Sequence, residues 1–203
     1  MNFSIITPDS IDIKQCIGCS NCFINGKCIL SDNMDMIKDE ILSSDLFIIA
    51  SPVFIHNVPG SIKNLIDRLG YWTHLMRLTG KLGMVATISD NTGNEQVIKY
   101  LEKVMNYWGV AKLSSIDIKT VNMTDDAFDS YARYAAQNIL NYYNDPIELI
   151  EPIQEKIFSN QKDQLKSKPL KTSEYNFWSD NKYFEYSSFK DLFSNKQSRP
   201  IKI

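Results

Sequence analysis

The sequence predicts an α/β fold built on a mainly parallel sheet, and three observations carry that prediction. Two apolar runs, LFIIA at residues 46–50 and LGMVATI at 82–88, are continuous rather than alternating, as in strands covered on both faces. Stretches with apolar residues at helical spacing follow each of them. Strand and helix patterns then alternate along the chain, as parallel pairing with helical crossovers requires.

The elements follow in order. Residues 2–7 (NFSIIT) form a short β-type run. Asp32 can cap a helix whose apolar positions are Met34, Ile37, Ile41 and Leu42. After the strand at 46–50, residues 59–69 (PGSIKNLIDRL) read as a helix with proline in its first turn and Ile62, Leu65, Ile66 and Leu69 on one face. The strand at 82–88 ends in a polar turn, DNTG at 90–93. Asn94 caps a helix that runs through Trp108 and stops at Gly109. Residues 110–118 supply another strand and 125–143 another helix.

Composition bounds the function. Hydrophobic residues make up 43% of the 203 and charged residues 23%, which excludes a collagen, a low-complexity linker and a disordered acidic tail. With 22 Lys+Arg against 24 Asp+Glu, the net charge of −2 gives no case for a nucleic-acid partner. The longest apolar run, residues 46–55, is broken by Pro52 and falls far short of the ~20 residues that cross a bilayer. The start, MNFSIITPDS, lacks the pattern of a secretory signal. The expectation is a soluble cytoplasmic protein with no membrane partner.

The charge is unevenly spread. Residues 1–159 carry 13 basic and 19 acidic groups, whereas residues 160–203 carry 9 and 5. The second segment also holds Tyr175, Phe177, Trp178, Tyr183, Phe184, Tyr186, Phe189 and Phe193. The division expected is therefore a domain at 1–159 and a C-terminal aromatic extension at 160–203. Such an extension packs on the body of its own chain or on a neighbouring subunit. Its small positive excess argues against stacking on single-stranded nucleic acid.

All four cysteines, Cys16, Cys19, Cys22 and Cys28, lie within one short stretch with the spacing C-x2-C-x2-C-x5-C. A disulfide framework would spread them to staple distant segments. Zinc knuckles use two separated C-x2-C pairs. Thiols at i, i+3 and i+6 wrap one loop around a single body, and a fourth closes it, as in runs that hold [4Fe–4S] clusters. Gly18, Ser20, Asn21, Asn25 and Gly26 let such a loop curl. An iron–sulfur cluster, zinc and unliganded redox thiols all stay open on spacing alone.

Residues 51–68, SPVFIHNVPGSIKNLIDR, resemble the signature of the flavodoxin-like NAD(P)H-dependent FMN reductases, and in particular of the iron-sulfur flavoproteins. The compact cysteine run ahead of it matches theirs in spacing and place, and the match covers roughly residues 1–120. The resemblance implies a flavodoxin-like, doubly wound parallel sheet, a [4Fe–4S] cluster on Cys16, Cys19, Cys22 and Cys28, and FMN. Ligands of such sheets bind beyond the carboxyl ends of the strands. The flavin contacts implied are Ser51, Pro52, Val53, Phe54 and Asn57 in one loop, and Thr87, Asp90 and Gly93 in another approaching from the other side.

Relatives carry a strand, a phosphate loop and a helix ahead of the segment that matches residues 3–16; the expectation here is that this first βα unit is absent. Thr7-Pro8-Asp9-Ser10 replaces its phosphate cradle poorly, because proline lacks a donor and the carboxylate repels phosphate. Three repairs follow: direct pairing of the flanking strands, completion by another polypeptide, or return of the C-terminal residues 198–203 (SRPIKI) to the sheet. Each favours association as a homo-oligomer or a hetero-oligomer, since an exposed strand edge invites pairing. His56 and His74, the two histidines, read as structural residues, and Asp67-Arg68 as a surface ion pair. The function expected is an FMN- and cluster-dependent oxidoreductase or electron-transfer protein serving a redox partner. The alternatives are a flavin-free, cluster-bearing subunit of a split flavoprotein and a structural zinc module on a degenerate flavodoxin scaffold.

Overall fold

The computed structural model describes residues 3–121, 123–143, 145–167 and 172–197. Its sheet contains β1 (Leu46–Pro52), β2 (Leu82–Ser89), β3 (Ala111–Lys112) and β4 (Ile116–Lys119), all parallel. β1 pairs with β2 along its whole length, from Leu46↔Leu82 to Pro52↔Ile88. On its other side β2 pairs first with β3 and then with β4, from Ala86↔Ile116 to Ser89↔Lys119. The single strand expected at 110–118 is therefore broken. Leu113 gives its N–H to Gly83 O at 2.8 Å, and Ser115 leaves the ladder to donate its hydroxyl to Glu102.

The helices in chain order are α1 (Asn21–Asn25), α2 (Met34–Ser43), α3 (Gly60–Arg68), α4 (Trp72–Leu75), α5 (Asn94–Trp108), α6 (Asp125–Tyr142), α7 (Pro152–Ser167), α8 (Ser173–Asp180) and α9 (Phe189–Lys196). Alternation along β2 splits them between two faces. Val85 joins Met34, Ile37, Ile49, Ile66, Leu101 and Met105, which brings α2, α3 and α5 to one side. Leu82 and Met84 face the opposite cluster, filled by Phe158, Trp178, Phe189 and Phe193 from α7, α8 and α9. The predicted α/β architecture with helices on both faces is what the chain forms.

The aromatic segment packs on its own chain. Trp178, Phe189 and Phe193 are fully buried, and the Trp178 ring stacks on Phe158 at 5.3 Å. The indole N–H of Trp178 donates to His74 O at 3.0 Å. Glu155 of α7 caps α9, accepting the N–H groups of Phe189 and Lys190.

Two expectations are corrected. Residues 3–7 of the run NFSIIT form no strand, and Asn2 lies outside the described residues. Phe3 and Ile5 stand exposed, and a 3₁₀ turn (Pro8–Ser10) follows directly. A β-type composition without a partner to pair with leaves the backbone solvated. β1, in turn, is covered on one face only: Ile49 is buried, but Ile48 is half exposed and Ala50 and Pro52 are exposed. Its continuous apolar run thus overstates its burial. Among the described residues no strand pairs with the outer edge of β1, so the expected direct pairing of residues 3–7 with it does not occur. The alternative repair by residues 198–203 lies outside the described residues. No helix among the described residues is long and apolar enough to cross a membrane.

Because Trp178 is wholly enclosed, Trp178→Ala is expected to destabilise the fold by about 3–5 kcal/mol. Urea unfolding measures this, and a loss under ~1 kcal/mol would contradict the extension's place in the core.

Candidate functional site

The cysteine loop is shaped by three residues in the left-handed region, Gly18 (φ 66°), Ser20 (φ 58°) and Gly26 (φ 73°), which turn the chain around α1. Asn21 closes the loop by donating its amide to Lys27 O at 2.7 Å. Cys16, Cys22 and Cys28 are partly buried and Cys19 is exposed; none is in a disulfide. Burial pushes the Cys22 thiol up, and the nearby Cys28 and Cys16 add to the effect. No three Cys, His, Asp or Glu side chains among the described residues gather tightly enough to hold a single metal ion.

Helix α3 anchors this loop from below. Asn64 accepts the Cys16 N–H at 3.0 Å and donates to Ile13 O and Lys14 O. Arg68 donates to Lys14 O at 2.7 Å and forms a two-point ion pair with Asp32. Both side chains of that pair are only 1% exposed. Asp32 also accepts the N–H groups of Lys14 and Met34, so it caps α2 while holding the loop. The hydrogen bond from Arg68 is the main cause that lowers the Asp32 carboxyl to about 2, assisted by the two N–H donors and opposed by burial. The surface pair expected of Asp67-Arg68 is corrected: Asp67 pairs with Lys63, whereas Arg68 turns inward to Asp32.

Helix α8, in the aromatic C-terminal segment, holds the loop from the other side. Ser173 donates to Phe23 O at 2.8 Å and accepts from Tyr71 at 3.0 Å. Glu174 is buried and pairs with His74 Nδ1 at 2.6 Å, and the His74 ring meets Phe23 edge-on. His74 is thus a structural residue, as the sequence suggested.

The second group lies at the carboxyl end of the sheet. Ser51 and Thr87 are register partners, and both are buried. Beyond them the chain folds back as a tight turn: Phe54 and Asn57 exchange backbone hydrogen bonds at 2.8 and 3.0 Å. The two residues between, Ile55 (φ 49°) and His56 (φ 58°), are left-handed without being glycine. Such backbone is costly and is held here by the flanking bonds. Pro52, Phe54 and Ile55 are exposed. Gly93 (φ 92°) touches this turn: a Cβ there would lie 2.6 Å from Val53 Cγ1 and 3.1 Å from His56 Nδ1. The loops 51–57 and 87–93 therefore meet directly at Gly93. Thr87 Oγ1, Ser89 Oγ and Asn94 Oδ1 are buried in this region with no hydrogen-bond partner among the described residues. Asp90 points elsewhere, accepting from Thr120 at the end of β4.

Sequence reasoning singled out the cysteines and both loops but missed Asn64, Arg68, Asp32, Ser173 and Glu174 as their supports. The bonds to α3 and α8 join positions 36 to 150 residues apart, which no local pattern reveals. The one signal was the helix signature itself, which contains Asn64 and Arg68.

An open parallel sheet with helices on both faces and polar loops at its carboxyl edge defines a class of ligand-binding α/β proteins. Within it, residues 3–123 match the model of the NADPH-dependent FMN reductase family, and the chain belongs to that family. An iron-sulfur flavoprotein of Archaeoglobus fulgidus is 36% identical over 99 residues, covering 48% of this chain and 45% of that protein. One of Methanosarcina thermophila is 29% identical over 106 residues, covering 49% and 53%. The chain thus spans about half the length of these curated relatives. An iron-sulfur flavoprotein of Clostridioides difficile is 28% identical over 192 residues, covering 90% and 74%. Among solved structures, an apo NADH:FMN oxidoreductase aligns with 60% of this chain and 65% of that one, at 17% identity and a TM-score of 0.46.

Since the Asp32 carboxyl sits at about 2 against an ordinary 3.8, its contribution to stability is complete above about pH 4 and is lost as the pH falls through 2. Urea unfolding across that range is expected to show this acid loss in the natural chain and a smaller one in Asp32→Asn. Equal slopes would contradict the pair. Arg68→Ala, which strands a buried carboxylate, is expected to cost about 3–5 kcal/mol.

Proposed function

We propose that this protein is a redox protein of the iron-sulfur flavoprotein type, with Cys16, Cys19, Cys22 and Cys28 holding a [4Fe–4S] cluster and FMN lying on the wall formed by Ser51, Val53, Phe54, Asn57, Thr87 and Gly93. The observation that carries the reading is the cysteine loop: four thiols on one short segment, locked to the family's signature helix by Asn64 and Arg68. Family membership and relatives named iron-sulfur flavoprotein support it. Four cysteine thiols on one short loop are the donor set that a [4Fe–4S] cluster takes. For the flavin, the unpartnered Thr87, Ser89 and Asn94 oxygens supply polar groups at the edge where such sheets bind ligands.

When bound, a cluster passes electrons singly and a flavin converts between one- and two-electron steps. The chain's own residues do the positioning. Asn64 and Arg68 hold the amino side of the loop, and Ser173 and Tyr71 hold α1. Phe54, exposed beside the strained turn, offers an aromatic face to a flat ring. The electrons pass to or from a redox partner. The outer edge of β1, unpaired among the described residues, supports a second reading, a cluster-bearing subunit that associates along that edge with a copy of itself or with another chain and needs no flavin of its own.

Anaerobic purification with absorption spectra and iron, sulfide, zinc and flavin analyses decides between them. Flavin bands over a broad iron–sulfur shoulder are expected; a shoulder alone favours the second reading, and zinc without colour contradicts both. Cys22→Ser is expected to bleach the shoulder, and an unchanged spectrum would remove Cys22 from the ligand set. Gly93→Ala, whose new Cβ meets Val53, is expected to weaken FMN binding by about tenfold while leaving the shoulder intact. Unaltered FMN affinity in a fluorescence titration would place the flavin elsewhere.

A further inference from the structure

A cavity of about 300 Å³ opens between α5 and the start of α7. That volume is at the lower end of the range for small-molecule sites. Its α5 wall is one helical stripe, Lys99, Glu102, Lys103, Asn106 and Tyr107, recurring at helical spacing. The rest of the lining is Lys112 of β3, Glu151, and Ile153 and Ile157 of α7. Lys112 is the register partner of Gly83, near the amino end of β2, whereas the loops 51–57 and 87–93 lie at the carboxyl end of the sheet. The cavity is therefore separate from the site described above.

Two polar side chains of this lining are buried. Lys112 is 6% exposed and pairs with Glu151 Oε1 at 2.8 Å. Asn106 donates Nδ2 to Glu151 Oε2 at 3.0 Å. Because a carboxylate only accepts, that bond fixes which end of the amide carries the oxygen. Asn106 Oδ1 is then a buried acceptor with no hydrogen-bond partner among the described residues. Such a group is unfavourable until a donor reaches it. Glu151 is neutralised by Lys112, and Glu102 accepts the Ser115 hydroxyl at 2.7 Å. Lys99 has only a surface pair with Glu95, and Lys103 forms no ion pair among the described residues.

We propose that this cavity binds a small anion with a flat ring and an exocyclic amino group, the chemistry of an adenine nucleoside monophosphate. The amino N–H supplies the donor that Asn106 Oδ1 lacks. The ring lies on Tyr107 and Ile153, which are partly exposed and offer apolar area to cover. Lys103, assisted by Lys99, takes the phosphate. A wholly apolar ligand would leave Asn106 unpaired, and a bare phosphate would leave Tyr107 and Ile153 uncovered. The proposal stands or falls without the cluster and the flavin.

Calorimetric titration of the full chain with adenosine monophosphate (AMP) tests it, with inosine monophosphate (IMP), adenosine and inorganic phosphate for comparison. AMP is expected to bind about tenfold more tightly than IMP, which carries an oxygen in place of the amino group, and than adenosine, which lacks the phosphate. Inorganic phosphate is expected to give no saturable signal. Lys103 is exposed, so Lys103→Gln leaves the fold intact; it is expected to weaken AMP about tenfold and to leave adenosine unchanged. Asn106→Leu is expected to abolish the preference for AMP over IMP. No binding of AMP, equal affinity for AMP and IMP, or unaltered AMP affinity in Lys103→Gln would each overturn the proposal. Displacement of AMP by added FMN would put both at one site and overturn it as well.

Discussion

The buried pair between Arg68 and Asp32 is the constraint on which the placement of the cysteine loop depends. The two residues lie 36 positions apart and share a site from which water is excluded. A buried ion pair contributes little net stability over an apolar contact of the same shape, but removing either partner alone is severe. Here the pair does more than attract. Asp32 also takes the N–H groups of Lys14 and Met34, and Arg68 takes Lys14 O. The strand-like approach to Cys16, the start of α2 and the end of α3 are fixed together by one set of hydrogen bonds. An apolar substitute could fill the volume but could not set that register.

The loop is then clamped between two parts of the chain with different origins in sequence. The α3 side belongs to the segment that carries the family signature. The α8 side belongs to the aromatic C-terminal segment, where Ser173 reaches Phe23 O and Glu174 meets His74. Trp178 and its neighbours supply the apolar burial that keeps α8 in place. The C-terminal segment, which began as a compositional oddity, is thus part of what orders the cysteines. The carboxyl edge of the sheet is ordered separately, by the register of Ser51 with Thr87 and by the contact of Gly93 with Val53.

Much of this was legible in the sequence, for physical reasons that differ by element. Helix α3 announced itself through one apolar face behind a proline, and α5 through a run ending at Gly109, which adopts the left-handed conformation expected of a helix stop. Gly18 and Gly26 marked the curl of the cysteine loop, and they take positive φ. What failed was burial and pairing. LFIIA reads as covered on both faces, yet Ile48 is half exposed, because coverage depends on what packs opposite. NFSIIT has β-type residues but no neighbour to bond with. Arg68 looked like half of a surface pair with its sequence neighbour, since nothing local discloses a partner near position 32. Side-chain types and local periodicity are written in the sequence; long-range partners are written only in the fold.

The proposal that Cys16, Cys19, Cys22 and Cys28 together hold one iron–sulfur body can be weighed directly. Native mass spectrometry of the anaerobically prepared chain measures this most directly. The expected mass increment on the natural chain is four irons and four sulfides, lost on Cys22→Ser. An increment matching one zinc, or none at all, would contradict it.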